Sequence, residues 1–109
     1  MQKIYRLRAN ASFNYLYRNG TVVSAPLLRV HYIKASSVKV GVSVGKKVGN
    51  SVVRHRAIRL MREAVKPYLP RMAPNNSYIF IAKEGITAKH LDEIKLQTEK
   101  VLKKAGLIY

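Results

Sequence analysis

Val38, Val40, Val42 and Val44 alternate with Lys39, Gly41 and Ser43, a period of two that predicts a strand with one buried face. Thr21 to Ser24 and Leu27 to Lys34 are rich in β-branched and aromatic residues. Ala25 and Pro26 interrupt them, which predicts a kinked or two-part strand. Ser77 to Lys83 is apolar on both faces, as a strand inside a sheet should be. Elsewhere the period is helical. Phe13, Leu16 and Tyr17 recur at i, i+3 and i+4 behind Asn10 or Ser12, either of which can cap a short helix, and Gly20 ends it. Asn50 is a good N-cap for a helix running to about Lys66, where Pro67 and Pro70 terminate it. Thr87 can cap a last helix with the stripe Leu91, Ile94, Thr98, Val101, Leu102 and Ala105, and Gly106 sits at its end. The order α-β-β-(β)-α-β-α describes an α+β fold, a small sheet sandwiched by helices. Its 109 residues suit one domain over 1–109.

The middle helix has two unlike sides. On a wheel of about 100° per residue from Val53, Leu60, Ala64, Ala57, Tyr68, Met61, Val65 and Ile58 span about −20° to 140° and face a core. Arg62, His55, Lys66, Arg59 and Arg56 occupy about 180° to 300°, with Glu63 the only acid among them. Arg54 lies over the apolar arc, but in the first turn, where it can point off the helix end. This stripe belongs to a wider asymmetry. The chain holds 21 Lys and Arg against 5 Asp and Glu, a net charge of +16. All five acids, Glu63, Glu84, Asp92, Glu93 and Glu99, follow residue 62, and thirteen basic groups precede them, three of them (Lys3, Arg6, Arg8) on an N-terminal arm. A polyanion is the expected partner, and RNA or DNA binding is preferred to a merely solvated charged face.

Enzymatic chemistry finds little support. Gly41-Val-Ser-Val-Gly45-Lys46-Lys47 follows a strand and precedes a helix, the context of a phosphate-binding loop. Its glycines are one residue too close, and Lys47 stands where Ser or Thr is required, so the segment fits a turn offering lysines and N–H groups to RNA phosphate better than a nucleotide triphosphate site. His31, His55 and His90 share no ligand spacing with each other or with acids. There is no cysteine, so disulfides and cysteine zinc sites are excluded and a cytoplasmic location fits. The longest aliphatic or aromatic run is five residues, Tyr78 to Ala82, against about 20 for a membrane helix. Phe13, Leu16 and Tyr17 read most simply as the core face of the first helix. Aromatics beside cations also stack exposed bases, and the pattern does not choose between these readings.

The segments Phe13 to Gly20 (FNYLYRNG), Val40 to Asn50 (VGVSVGKKVGN) and Val53-Arg54-His55-Arg56 followed by Arg59-Leu60-Met61-Arg62-Glu63 together resemble the protein subunit of bacterial ribonuclease P, over nearly the whole chain. The resemblance implies a fold like the second domain of ribosomal protein S5, with a left-handed crossover around the basic helix. It implies an accessory protein of an endoribonuclease whose catalytic centre is an RNA with bound Mg²⁺, and which removes 5′ leaders from precursor tRNA. Carried over by motif, Lys46, Lys47, Arg54, Arg56 and Arg59 meet the catalytic RNA, and Phe13, Tyr17, His31, Ile58 and Arg62 line a cleft for the leader. Catalytic RNA and precursor tRNA are the implied partners, with no membrane and no obligatory protein partner. Three positions depart from the family pattern: His55 replaces the Asn of Arg-Asn-Arg, Ile58 replaces a usual cation, and His31 a common aromatic. The rival reading is a non-catalytic structural RNA binder of the small ribosomal type, which asks only for basic groups; a DNA-architectural protein is third.

Overall fold

A computed structural model describes residues 10–35 and 38–108, with side chains from Tyr15 onward. The basic N-terminal arm, the caps expected at Asn10 or Ser12 and the Phe13 side chain lie outside the described set. The elements in chain order are α1 (Asn10–Asn19), β1 (Thr21–Ser24), β2 (Leu28–Lys34), β3 (Lys39–Val44), α2 (Ser51–Val65), β4 (Asn76–Ala82) and α3 (Leu91–Lys104). The strands form one mixed sheet in the order β1-β2-β4-β3, in which β4 pairs antiparallel with β2 and parallel with β3. The apolar run of β4 is thus interior, as its lack of a polar face requires. The segment expected as a kinked or two-part strand is two strands of a hairpin: Thr21 lies opposite Tyr32 and Ser24 opposite Arg29, with the chain reversing around Pro26. Pro26 breaks the ladder and the chain reverses there, so the two-part alternative is the one the structure takes, with its parts antiparallel.

The sheet has helices on both faces. Val30, Val40, Tyr78 and Phe80 project to one side and pack with Ala57, Met61, Ala64 and Val65 of α2 and Ile94, Val101 and Leu102 of α3. The other face carries a smaller cluster, Leu16 of α1 with Ile79, Ile81 and Ile33. Gly20 brings α1 down onto the sheet, because a Cβ there would lie 2.6 Å from the Leu16 carbonyl oxygen and 2.9 Å from that of Tyr32. Asn50 caps α2, its Oδ1 accepting from the Val53 N–H at 3.0 Å. Beyond Val65 the chain tightens into a 3₁₀ segment, Lys66–Arg71, that accommodates Pro67 and Pro70. The last helix departs from expectation at its start. Thr87 falls within a short 3₁₀ turn, Ile86–Ala88, and His90 occupies the N-cap with no side-chain bond. No described helix is long and apolar enough to cross a membrane.

Candidate nucleic-acid interface

Strand alternation decides what lies beneath α1. In β2, Arg29, His31 and Ile33 share a face with their ladder partners Ile81, Ile79 and Ser77. Leu16 is 2% exposed and packs on this face, whereas Tyr17, about 100° further round the helix, is 52% exposed. The core reading therefore holds for Leu16 and fails for Tyr17. A ten-residue helix lying on a sheet buries one narrow row, and Tyr17 falls on its rim.

The Tyr17 ring stacks on the His31 imidazole, with centroids 4.9 Å apart and planes 13° from parallel. Arg29 ties the pair together. Its Nε donates to His31 Nε2 at 3.1 Å and its Nη2 to the Tyr17 hydroxyl at 3.1 Å, and the guanidinium carbon lies 6.0 Å from the Tyr17 ring centroid. Nε2 must offer a lone pair to accept this bond, so the neutral ring carries its proton on Nδ1. Burial first, and then the Arg29 charge, lower the His31 pKa from its ordinary value. Nδ1 itself is buried without a hydrogen-bond partner among the described residues. Arg29 is the member that sequence reasoning missed; its signal was the two-residue offset from His31 within a strand.

The lysine turn lies at the carboxyl end of β3. Gly45 opens one 3₁₀ turn, Lys46–Val48, in which the Val48 N–H donates to the Gly45 carbonyl at 3.1 Å, and both lysines are exposed. A cavity of about 680 Å³ counts Tyr17, Arg29, Lys46 and Lys47 among its lining residues. Lys46 and Lys47, expected at the catalytic RNA, therefore share a cavity with Tyr17, expected at the leader. Arg56 and Arg59 line a different cavity of about 700 Å³, with His55 beside them and Val52 and Leu60 as apolar lining. Arg54, Ile58 and Arg62 line neither. Their spacing of four places them in one row along α2, where all three are half-buried, and the Nε atoms of both arginines are buried without a hydrogen-bond partner. The two sets expected from sequence are thus distributed over three places, and Arg54 stands with Ile58 and Arg62 instead of with Arg56.

The ribonuclease P family model matches residues 1–106. The chain belongs to the ribonuclease P protein family. It is 39% identical to the ribonuclease P protein component of an Exiguobacterium species, over 96% of this chain and 93% of that protein. It is also 39% identical to the one from Clostridium kluyveri, over 95% and 96%. Among solved structures it is similar to a Staphylococcus aureus RNase P protein mutant with defective mRNA degradation activity, at a TM-score of 0.85 and 29% identity, covering 97% of this chain and 92% of that one. The RNase P protein from Thermotoga maritima shares the fold, with a TM-score of 0.79 at 17% identity over 91% and 96%. In the described part of this ribonuclease P protein, no group of three or more His, Asp or Glu could hold a metal ion. Its candidate site is built of cations and stacked rings, groups suited to phosphates and unpaired bases.

Proposed function

We propose that this ribonuclease P protein acts as a single RNA-binding domain with two sets of contacts, Lys46, Lys47, Arg54, Arg56 and Arg59 toward the catalytic RNA, and Phe13, Tyr17, His31, Ile58 and Arg62 toward the 5′ leader of precursor tRNA. Membership of the family makes it the protein subunit of a ribonucleoprotein endoribonuclease that matures the 5′ end of tRNA, with the catalysis carried by the RNA. The observation that most supports the leader contacts is the Tyr17–His31 stack, a half-exposed aromatic platform braced by an arginine. Successive unpaired bases stack on such platforms whatever their identity. The exposed Arg56 and Arg59 suit a folded RNA, whose phosphates are its accessible feature. In this reading Mg²⁺ is bound by the catalytic RNA, which carries the chemistry in the family, and the complex works in the cytoplasm.

The test is cleavage of precursor tRNA by a bacterial ribonuclease P RNA at low Mg²⁺, with and without the protein. The protein should raise cleavage there, since its cations substitute for part of the counterions. Protein freed of RNA should cleave nothing. Specific cleavage by RNA-free protein, or no effect on any bacterial catalytic RNA, would sink the proposal.

A further inference from the structure

Two buried polar side chains interrupt the apolar inner face of α3. Thr98 turns its hydroxyl back to the Ile94 carbonyl of its own helix, at 2.8 Å. Gln97, 8% exposed, reaches out of the helix instead, and its Oε1 accepts from the Leu27 N–H at 2.8 Å, in the turn between β1 and β2. A buried amide is favourable only while hydrogen-bonded, a condition no apolar residue on that face has to meet, so what distinguishes a glutamine here is its bond to the turn. The same turn is fastened from a second element. The Leu27 carbonyl accepts from the Lys83 N–H at 2.8 Å, just beyond β4, and the Lys83 Nζ is bonded to the Ser24 hydroxyl. Both backbone groups of Leu27 are thus held from outside the hairpin, where Pro26, lacking an N–H, cannot be held by one of its own. Pro26 lines the cavity that Tyr17 also lines, and Arg29, which braces the Tyr17 ring, follows closely in the chain.

We propose that Gln97 is a positioning residue for leader binding: from the face of the sheet opposite α1, and without touching RNA, it holds through Leu27 the stretch from Pro26 to Arg29 in place against Tyr17. The inference rests on the leader reading of Tyr17. Once the Gln97 oxygen is removed, the Leu27 N–H is left buried and unpaired, and it regains a partner only if the turn moves off α3 toward water. Arg29 moves with the turn. Its bonds to His31 and Tyr17 brace the platform, so a change made in the main core is read at the ring on the other side of the sheet.

The holoenzyme assembled from the full chain and a bacterial ribonuclease P RNA provides the test. Gln97→Met removes the amide oxygen at nearly unchanged length, Gln97→Glu keeps an acceptor, and Val101→Ala destabilises the same helix face without a bond to the turn. These and Tyr17→Ala are compared for melting temperature and for affinity toward precursor tRNA with a short leader and toward mature tRNA. Gln97→Met should bind leader-bearing precursor about fivefold more weakly, the worth of one hydrogen bond, and mature tRNA within about twofold of wild type. Gln97→Glu should recover most of that affinity. Val101→Ala should lower the melting temperature at least as far while leader affinity stays within about twofold, as for a distant, uncoupled site. Coupling is reciprocal, so in the wild type a bound leader should slow hydrogen exchange at the Leu27 N–H, a readout that needs no variant to fold. Equal leader losses in Gln97→Met and Val101→Ala, no loss in Gln97→Met, or unchanged exchange at Leu27 overturns the positioning role. If Tyr17→Ala still weakens leader binding in that case, the leader reading survives; if it does not, that reading falls as well.

Discussion

Tyr17, His31 and Arg29 divide the work of the platform, since the ring gives a stacking surface, the imidazole backs it, and the guanidinium locks both. Tyr17→Ala should weaken binding of leader-bearing precursor by roughly 1 to 3 kcal/mol, the usual worth of one base on an aromatic. Mature tRNA affinity and melting temperature should hardly move, and a uniform loss that tracks melting temperature would show a core role. His31 sets a pH dependence. Its pKa in the folded chain lies below the ordinary 6.5, so as pH falls through about 6.5 the unfolded chain takes up the proton first and stability drops until the folded pKa is passed. Protonation also removes the lone pair that accepts from Arg29. Thermal melts from pH 8 to pH 5 should show this loss in the wild type and a flatter profile in His31→Phe, which keeps the stack without the titration. Of this trio, the family motif marked Tyr17 and His31. Arg29 was missed because its offset of two from His31, one arginine among many in a basic chain, gains meaning only when the packing of α1 sets a ring beside that strand face.

At the level of elements, the docking of α1 depends on one buried side chain and one glycine. Leu16→Ala should cost about 2 kcal/mol or more, as truncating a buried leucine does. The small cluster it leaves, Ile79, Ile81 and Ile33, sits apart from the main core, so the loss should fall on α1 first. Hydrogen exchange should quicken over residues 15–19 while β4 stays protected, and leader affinity should fall more than melting temperature. Most elements were legible because their signals are local: Asn50 caps α2 as expected, and Val40, Val42 and Val44 of β3 pack on the main core. The hairpin of β1 and β2 was not, because Pro26 marks a break without giving the direction of the chain after it. The start of α3 was misplaced at Thr87, a residue with cap chemistry whose turn is 3₁₀. His90 begins the helix instead, with Asp92 and Glu93 in its first turn to complement the dipole.

Across the whole molecule, charge is the property the sequence made plainest and placed least. The surplus of +16 announced a polyanion, but only the fold divides the cations among the lysine turn, the outer face of α2 and the half-buried row at Arg54 and Arg62. If about four phosphates are neutralised, raising salt from roughly 50 to 200 mM should weaken RNA binding by about two decades. Charge reversal at Arg56 and Arg59, both exposed, should weaken assembly with the catalytic RNA and leave the melting temperature near wild type. The cleft as a whole was not legible, since Tyr17, Arg29 and Lys46 are brought together by the packing of α1 and by the register of three strands.

The placement of β4 at the centre of the sheet fixes the order in which a newly made chain can fold. β1, β2 and β3 leave the ribosome first, but β2 and β3 touch each other only through a strand that begins at Asn76. Until then the emerging chain holds only the segments of a hairpin, a lone strand and two helices, whose apolar faces have nothing to close on, and its first 62 residues carry no carboxylate to offset thirteen cations. Folding therefore waits until Asn76–Ala82 has been made. A fragment ending at residue 75 should show no strand signal by circular dichroism where the full chain does. During that interval the nascent segment is an unfolded polycation beside ribosomal RNA, held in an extended state by its own repulsion until the central strand arrives.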